Sequence, residues 1–185
     1  MTIISEKFLQ NLKKNLLDHH KVYKKIRCKA EYLEEVLTSS FELSGFNVSW
    51  KPGSHDKKKD LIVRNNSLSV KSGVLMPKKK MLEISGHRLT RFDRNLNKIS
   101  KYLNNSTDTL CVYNPKGKSL DHKYSLAFIK KEKFSGIVES KWKDLGKSYI
   151  QSNDYGVQFK IQKDMSDQIW WQIPIKYLDI DEMII

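Results

Sequence analysis

Between Lys57 and Gly73 the chain reads KKKDLIVRNNSLSVKSG, and the alternation inside this stretch constrains the fold more than any other feature. Leu61 and Val63 before an asparagine pair, and Leu68 and Val70 after it, repeat with the period of two that an extended strand turns into a one-sided apolar face. Asn65 and Asn66 tolerate positive φ and predict a two-residue turn between two antiparallel strands. That turn pairs Arg64 with Ser67, Val63 with Leu68, Ile62 with Ser69, Leu61 with Val70 and Asp60 with Lys71. Leu61, Val63, Leu68 and Val70 then share the core face. Asp60, Ser69 and Lys71 gather on the other, within roughly 5–8 Å of one another. A hairpin needs no such carboxylate, hydroxyl and ammonium, so the cluster is a candidate site.

The flanks of the hairpin set the fold class. Phe8, Leu12, Leu16, Val22 and Ile26 recur at helical spacing, and Ala30, Leu33, Val36, Leu37 and Phe41 form a second stripe that stops at Gly45. Asn47 to Trp50 reads as a short strand closed by Pro52-Gly53, and 54–59 as a polar loop. Beyond the hairpin, Met81 to Ile84 predicts a strand and Leu89 to Leu103 a helix with Phe92, Leu96, Ile99 and Leu103 along one side. Thr109 to Tyr113 and Tyr124 to Ile129 predict two more strands, and Trp142 to Ile185 reads as short strands and loops. Trp170 and Trp171 cannot both face the core if they share a strand. The expectation is an α/β fold, a central mixed β-sheet flanked by helices with N-terminal helices before the core. A length of 185 residues suits a single domain. Within it, 1–27 is read as a helical N-terminal segment, 28–130 as the core that carries the site, and 131–185 as a C-terminal part.

The chain carries 34 basic against 21 acidic residues, a formal charge of +13, which favours a polyanionic partner. The longest uncharged stretches fall far short of a membrane span, and the amino terminus, MTIISEKFLQNLKK, lacks an apolar signal core, so the expected location is cytoplasmic with no membrane partner. Cys28 and Cys111 have no second pair of metal ligands nearby and read as buried thiols. His19-His20 lies on a charged helix without paired acids or cysteines, which argues against a metal site there. Phosphate-binding loops, dinucleotide fingerprints, H-E-x-x-H and G-x-S-x-G are all missing from the sequence.

A carboxylate at Asp60 can hold Mg2+, a hard cation that takes oxygen ligands, and Lys71 beside it can orient or help deprotonate an attacking water. Such a pair suits phosphodiester hydrolysis. The competing reading is a cross-strand ion pair worth about 0.2–1 kcal/mol. A second carboxylate would come from Glu83 on the next strand, or from Glu35 or Glu34 on the preceding helix. Asp56 is an alternative to Asp60. Basic residues flank the cluster: Lys57, Lys58 and Lys59 before it, Lys78, Lys79 and Lys80 after it, then His87, Arg88, Arg91 and Arg94. Lysines hold phosphates, and arginines also reach guanine O6 and N7 in the major groove.

The order of a glutamate-bearing helix (AEYLEEVL), a strand and KDLIV…LSVKSG resembles the PD-(D/E)XK nuclease superfamily, and EISGHRLTRF resembles segments of type II restriction endonucleases. The resemblance covers roughly residues 28 to 130. It implies a restriction-endonuclease-like fold, Mg2+ as cofactor, and sequence-specific cleavage of double-stranded DNA as part of restriction-modification. Asp60 would then take the metal-binding role and Lys71 the role near the attacking water. Lys59 stands where proline is usual. Ser69 stands where an acid is usual, and some enzymes of the superfamily with such an S-x-K triplet recruit a glutamate from a neighbouring element. The tail WWQIPIKYLD resembles the end of small restriction enzymes that contacts DNA. Cutting both strands of a symmetric target implies a homodimer, with residues 5 to 27 as its expected interface. Two other classes share the basic character: a non-catalytic DNA-binding protein, and a structure-selective nuclease such as a junction resolvase.

Overall fold

Ser5 opens the first helix, α1 (Glu6–Val22), with its side chain accepting a hydrogen bond from the Phe8 N–H at 3.2 Å. The second, α2 (Glu31–Leu43), closes at Gly45 with φ +87, where Phe46 N–H returns to the Phe41 carbonyl at 3.0 Å. Phe8 and Phe41 stack at 4.1 Å between centroids and lock the two helices together. The computed structural model describes residues 3–51, 60–115 and 122–181.

Eleven strands among the described residues form one sheet: β1 (Val48–Ser49), β2 (Leu61–Val63), β3 (Asn66–Met76), β4 (Met81–Arg88), β5 (Asp108–Asn114), β6 (Ser125–Ile129), β7 (Lys143–Asp144), β8 (Ser148–Ser152), β9 (Gln158–Gln162), β10 (Gln168–Pro174) and β11 (Asp179–Asp181). Their order is β11-β6-β5-β3-β4-β10-β9-β8-β7, with β2 beside β3 and β1 beside β2. The β3–β5 pair is parallel and the other described pairs are antiparallel, so the sheet is mixed. A third helix, α3 (Leu96–Asn104), capped by the Asn95 side chain, makes the crossover between β4 and β5. The α/β expectation stands at this level. The C-terminal strands extend the same sheet through β10 against β4, so 131–185 adds to the layer that 28–130 begins.

Two cores lie on the two faces. On one, α1 and α2 cover Leu61, Val63, Leu68, Val70, Leu110, Val112 and Leu126. On the other, α3 and the turns around Phe134 and Ile137 cover Leu82, Ile84, Cys111, Ala127, Phe159 and Ile169. These are called the N-helix face and the α3 face below. Trp171 joins the α3 core while Trp170, one residue earlier, points away from it, as two tryptophans on one strand must. Among the described residues no helix is long and apolar enough to cross a membrane.

Several expectations are corrected. The hairpin turns at Arg64-Asn65 instead of Asn65-Asn66: their φ angles are 47 and 68, and the register is Leu61 with Leu68, Ile62 with Ser67 and Val63 with Asn66. The slip moves each partner by two residues, so every side chain keeps its face. The guanidinium of Arg64 lies 4.4 Å from the Phe46 ring centroid, a contact that accompanies its left-handed conformation. The helix expected from Leu89 begins only at Leu96, because a 3-10 turn at Thr90–Phe92 and positive φ at Asp93 and Arg94 precede it. In α1 the stripe ends at Leu16. Phe8, Leu12 and Leu16 are wholly buried, whereas Val22 and Ile26 are 74% and 52% exposed. Phe8, Leu12 and Leu16 thus pack on the chain's own sheet, while Val22 and Ile26 stay at the surface.

The turn position is open to a direct test. Asn65→Val places a β-branched residue in left-handed backbone and should lower stability by about 1–2 kcal/mol, read from urea midpoints. Asn66→Val, on a strand residue, should leave the midpoint unchanged or raise it. A loss in Asn66→Val as large as that in Asn65→Val would restore the turn at Asn65-Asn66.

Candidate active site

Strands β2 and β4 both pair with the same edge of β3. Residues 66–68 of β3 face β2, residues 73–76 face β4, and β5 runs along the opposite edge from Leu68 to Val74. The sheet therefore forks, and 69–72 carry no strand partner on the forked edge. A strand interior whose backbone lacks a partner must satisfy it otherwise. Asp60 and Lys71 do this. Asp60 Oδ2 accepts from the Val70 N–H at 2.6 Å, from Ser69 Oγ at 3.0 Å and from Lys71 Nζ at 2.9 Å, while Lys71 Nζ also donates to the Val70 carbonyl at 2.8 Å. The Asp60 N–H donates to the Leu68 carbonyl at 2.9 Å, which extends the hairpin to this point.

The predicted cluster thus assembles, more tightly than its pairing alone would require. The Lys71 and Asp60 side chains are 21% and 23% exposed, so the pair is reachable from solvent but screened less than a surface ion pair. Because Leu68 and Val70 face the N-helix core, Ser69 and Lys71 point to the α3 face, where Cys111 is Lys71's neighbour across the parallel pair. Gly73, two residues on, has no room for a side chain: a Cβ there would lie 2.8 Å from Cys111 Sγ and from Leu82 Cδ1. That close approach packs β3 tightly against its neighbours just beyond the site.

On the α3 face the site acquires residues from beyond β4. The His87 ring meets the Tyr102 ring edge-on at 5.1 Å, and the Arg91 guanidinium lies 4.8 Å from the centroids of both Phe92 and Tyr102. Burial pushes the Tyr102 hydroxyl above its ordinary value, the charge and hydrogen bond of Arg91 pull it back, and the negative charge of Asp60 adds to the rise. Tyr102 was missed by the sequence reading. Its signal was a polar-tipped ring three residues after Ile99, beside the apolar stripe of α3.

The other predicted site residues are dispersed. Glu83 lies between Leu82 and Ile84, which face the α3 core, so it points to the opposite face, where it accepts a hydrogen bond from Gln172 at 2.8 Å. Glu35 is exposed on α2, and Glu34 accepts from the Trp50 indole at 3.0 Å; α2 packs on the N-helix face, and the sheet stands between it and Lys71. Lys78 and Lys79 sit in the β3–β4 turn, roughly 20 Å along the strand from Lys71. Arg94 is bound to the buried Asp167 at 2.9 Å and ties the start of α3 to the turn before β10. Arg88 is exposed at the end of β4. Lys57, Lys58, Lys59 and Asp56 lie outside the described residues.

Among the described residues no group of three or more His, Cys, Asp and Glu side chains is gathered as a metal cage. Mg2+ asks for less, one or two carboxylates completed by water and substrate oxygens. The hard oxygens of Asp60 and Ser69 fit that form, with Asp60 Oδ1 unused by the three hydrogen bonds above. His20 is committed elsewhere: its Nε2 meets the Tyr124 hydroxyl at 2.7 Å and its ring stacks on His122 at 3.8 Å. No family model matches the chain, and no curated protein or solved structure matches it.

Two measurements follow from these contacts. Asp60→Ala leaves the Val70 N–H without its acceptor and should lower stability by about 1–3 kcal/mol, whereas Asp60→Asn, whose amide oxygen can still accept, should lose much less. Equal urea midpoints for both would remove Asp60 from the fork. Burial pushes the Cys28 and Cys111 thiols up to about 12. Alkylation needs the thiolate, so iodoacetamide at about pH 8 should label the native protein far more slowly than the denatured chain.

Proposed function

We propose that this chain is a Mg2+-dependent endonuclease that hydrolyses phosphodiesters of double-stranded DNA at specific sequences, a type II restriction enzyme acting in the cytoplasm. The observation that carries the reading is the convergence of Asp60, Ser69 and Lys71 on one half-buried point of the fork. The net charge of +13 suits a polyanionic substrate. The resemblance of KDLIV…LSVKSG to the PD-(D/E)XK superfamily supports the same chemistry and a restriction-endonuclease-like arrangement of the core.

In this reading Asp60 and Ser69 would hold the metal. Bound Mg2+ supplies Lewis-acid stabilisation of the phosphoryl oxygens and lowers the pKa of water. Lys71 lies within hydrogen-bond distance of the Asp60 carboxylate and positions the attacking water or offsets charge as it develops on the phosphate. Arg91, which lies over Tyr102, would hold a neighbouring phosphate. A homodimer with two such sites matches the two strands of a symmetric duplex target.

A second reading is favoured by one specific observation. Asp60 and Lys71 already satisfy the Val70 N–H and C=O, a structural task that needs no chemistry, and Glu83 and Glu35 are turned away from them. A basic DNA-binding protein without catalysis would use the pair in this way.

Plasmid incubated with the pure protein and Mg2+, with EDTA as control, separates the two. Discrete fragments that disappear with EDTA are expected; retarded but uncut DNA supports the second reading, and cleavage confined to branched substrates would indicate a structure-selective nuclease. Asp60→Asn should reduce cleavage more than about tenfold while leaving the urea midpoint close to wild type, and Lys71→Ala should reduce it as much while also lowering the midpoint, because the Val70 carbonyl loses its donor. Glu83→Gln and Glu35→Gln should cut near the wild-type rate, since the sheet separates them from Lys71. If an additional acid is required, Asp56 is the sequence neighbour to test.

A further inference from the structure

On the N-helix side, α1 and α2 cover β2, β3, β5 and β6, and among the described residues no helix continues over β4, β10, β9 and β8. Alternation fixes what this open area presents. The α3 core takes Ile169, Trp171 and Ile173 from β10 and Phe159 and Ile161 from β9, so Trp170, Gln172, Gln158 and Lys160 project from the other side. The register lines them up. One row across the strands runs Ser85, Trp170, Lys160, Ile150, Lys143, and the next runs Glu83, Gln172, Gln158, Ser152. From Trp170 to Lys143 is three strand spacings, roughly 14 Å. At that end Lys141, Trp142, Lys143, Ile150, Ser152 and Gln158 help line an open pocket of about 560 Å3.

We propose that this open sheet face binds a nucleic-acid strand with unpaired bases. Trp170 stands in mid-sheet, half-buried, opposite the small and exposed Ser85, so an aromatic ring on which a base can stack borders open surface. Lys160, directly opposite on β9, and Lys143 beyond it give the strand's phosphates a cationic track along the row. Gln158 in the adjacent row carries an amide, a group that reads base edges by paired donor and acceptor. The acid of the face, Glu83, has its carboxylate engaged by Gln172. The pocket beside Trp142 is large enough for one further nucleotide. Lysines and glutamines at the centre of the face disfavour a second copy of the chain as occupant, because protein interfaces deplete charge at their cores.

This surface lies on the side of the sheet opposite Lys71, so it stands or falls independently of the proposed nuclease site. The test is fluorescence anisotropy with a labelled oligo-dT of about 12 nucleotides, within the usual range of site sizes. Trp170→Ala should weaken binding by about 5- to 150-fold, the equivalent of one lost base stack, and Trp170→Phe should recover most of it. Lys160→Glu, a change on the outer face with little risk to folding, should weaken binding and make its salt dependence shallower. Lys71→Ala should bind the oligonucleotide as wild type does, whether or not it cuts plasmid. Wild-type affinity in both Trp170→Ala and Lys160→Glu, or no binding of the oligonucleotide by the wild-type protein, would overturn the proposal. So would sedimentation showing a wild-type dimer that Lys160→Glu splits, which would assign the face to a second copy.

Discussion

The carboxylate of Asp60 stands in for a missing strand. Because β2 and β4 share one edge of β3, the stretch between their pairings needs a partner for the Val70 N–H and C=O, and Asp60 and Lys71 provide one each. An unpaired backbone group inside the sheet would lose about 1–3 kcal/mol, and a hydrogen bond to a charged group recovers that or more. The fork therefore depends on the pair, and the pair on the fork. Ser69, donating to the same oxygen, completes a local set in which each member limits the freedom of the others.

This bond set bears on the chemistry as well. A group that must stay in place for the strand to hold is already preorganised, and preorganised polar groups cost nothing to reorient when a substrate arrives. The same hydrogen bonds also temper the site, since Lys71 neutralises part of the charge that a cation on Asp60 would feel. For a cation held there, oxygen donors from water and from a phosphate would matter more than in a cage of several acids. Arg91 and Tyr102 come from the turn after β4 and from α3, so the residues around one phosphate would come from three elements.

Much of the hairpin was legible because faces depend on parity. Leu61, Val63, Leu68 and Val70 would share a side under either turn, so the cluster of Asp60, Ser69 and Lys71 survived the slip of register. The turn itself was not legible: an Asn-Asn pair attracts the two positive-φ positions, yet Arg64 takes one of them, with its side chain over Phe46. The face of Glu83 was half legible. Its flanking Leu82 and Ile84 declare that it points away from a core, but which core depends on the pairing of Ile84 with Gly73, and that pairing is made by a close approach that a sequence pattern does not encode. The start of α3 was obscured in the same way, since Phe92 keeps the apolar spacing while Asp93 and Arg94 adopt left-handed backbone. Tyr102 belongs to the site only through tertiary contact with Arg91 and His87.

The fork also explains why one sheet carries two different open surfaces. Where β4 leaves β3 it passes to β10, and the sheet runs on beyond the reach of α1 and α2, whose lengths of 17 and 13 residues are used on β2, β3, β5 and β6. The α3 face must remain covered along this extension because Phe159, Ile161, Ile169 and Trp171 are apolar without interruption from strand to strand. The reverse face is then free to be polar. It carries amides, lysines and one indole where a covered face would carry valine and leucine. A sheet uncovered on one side is stable when its other side is fully packed. The composition of β9 and β10 therefore meets two demands at once, a dry core on one side and a wet, cationic surface on the other, and strict alternation is the pattern through which a strand can satisfy both.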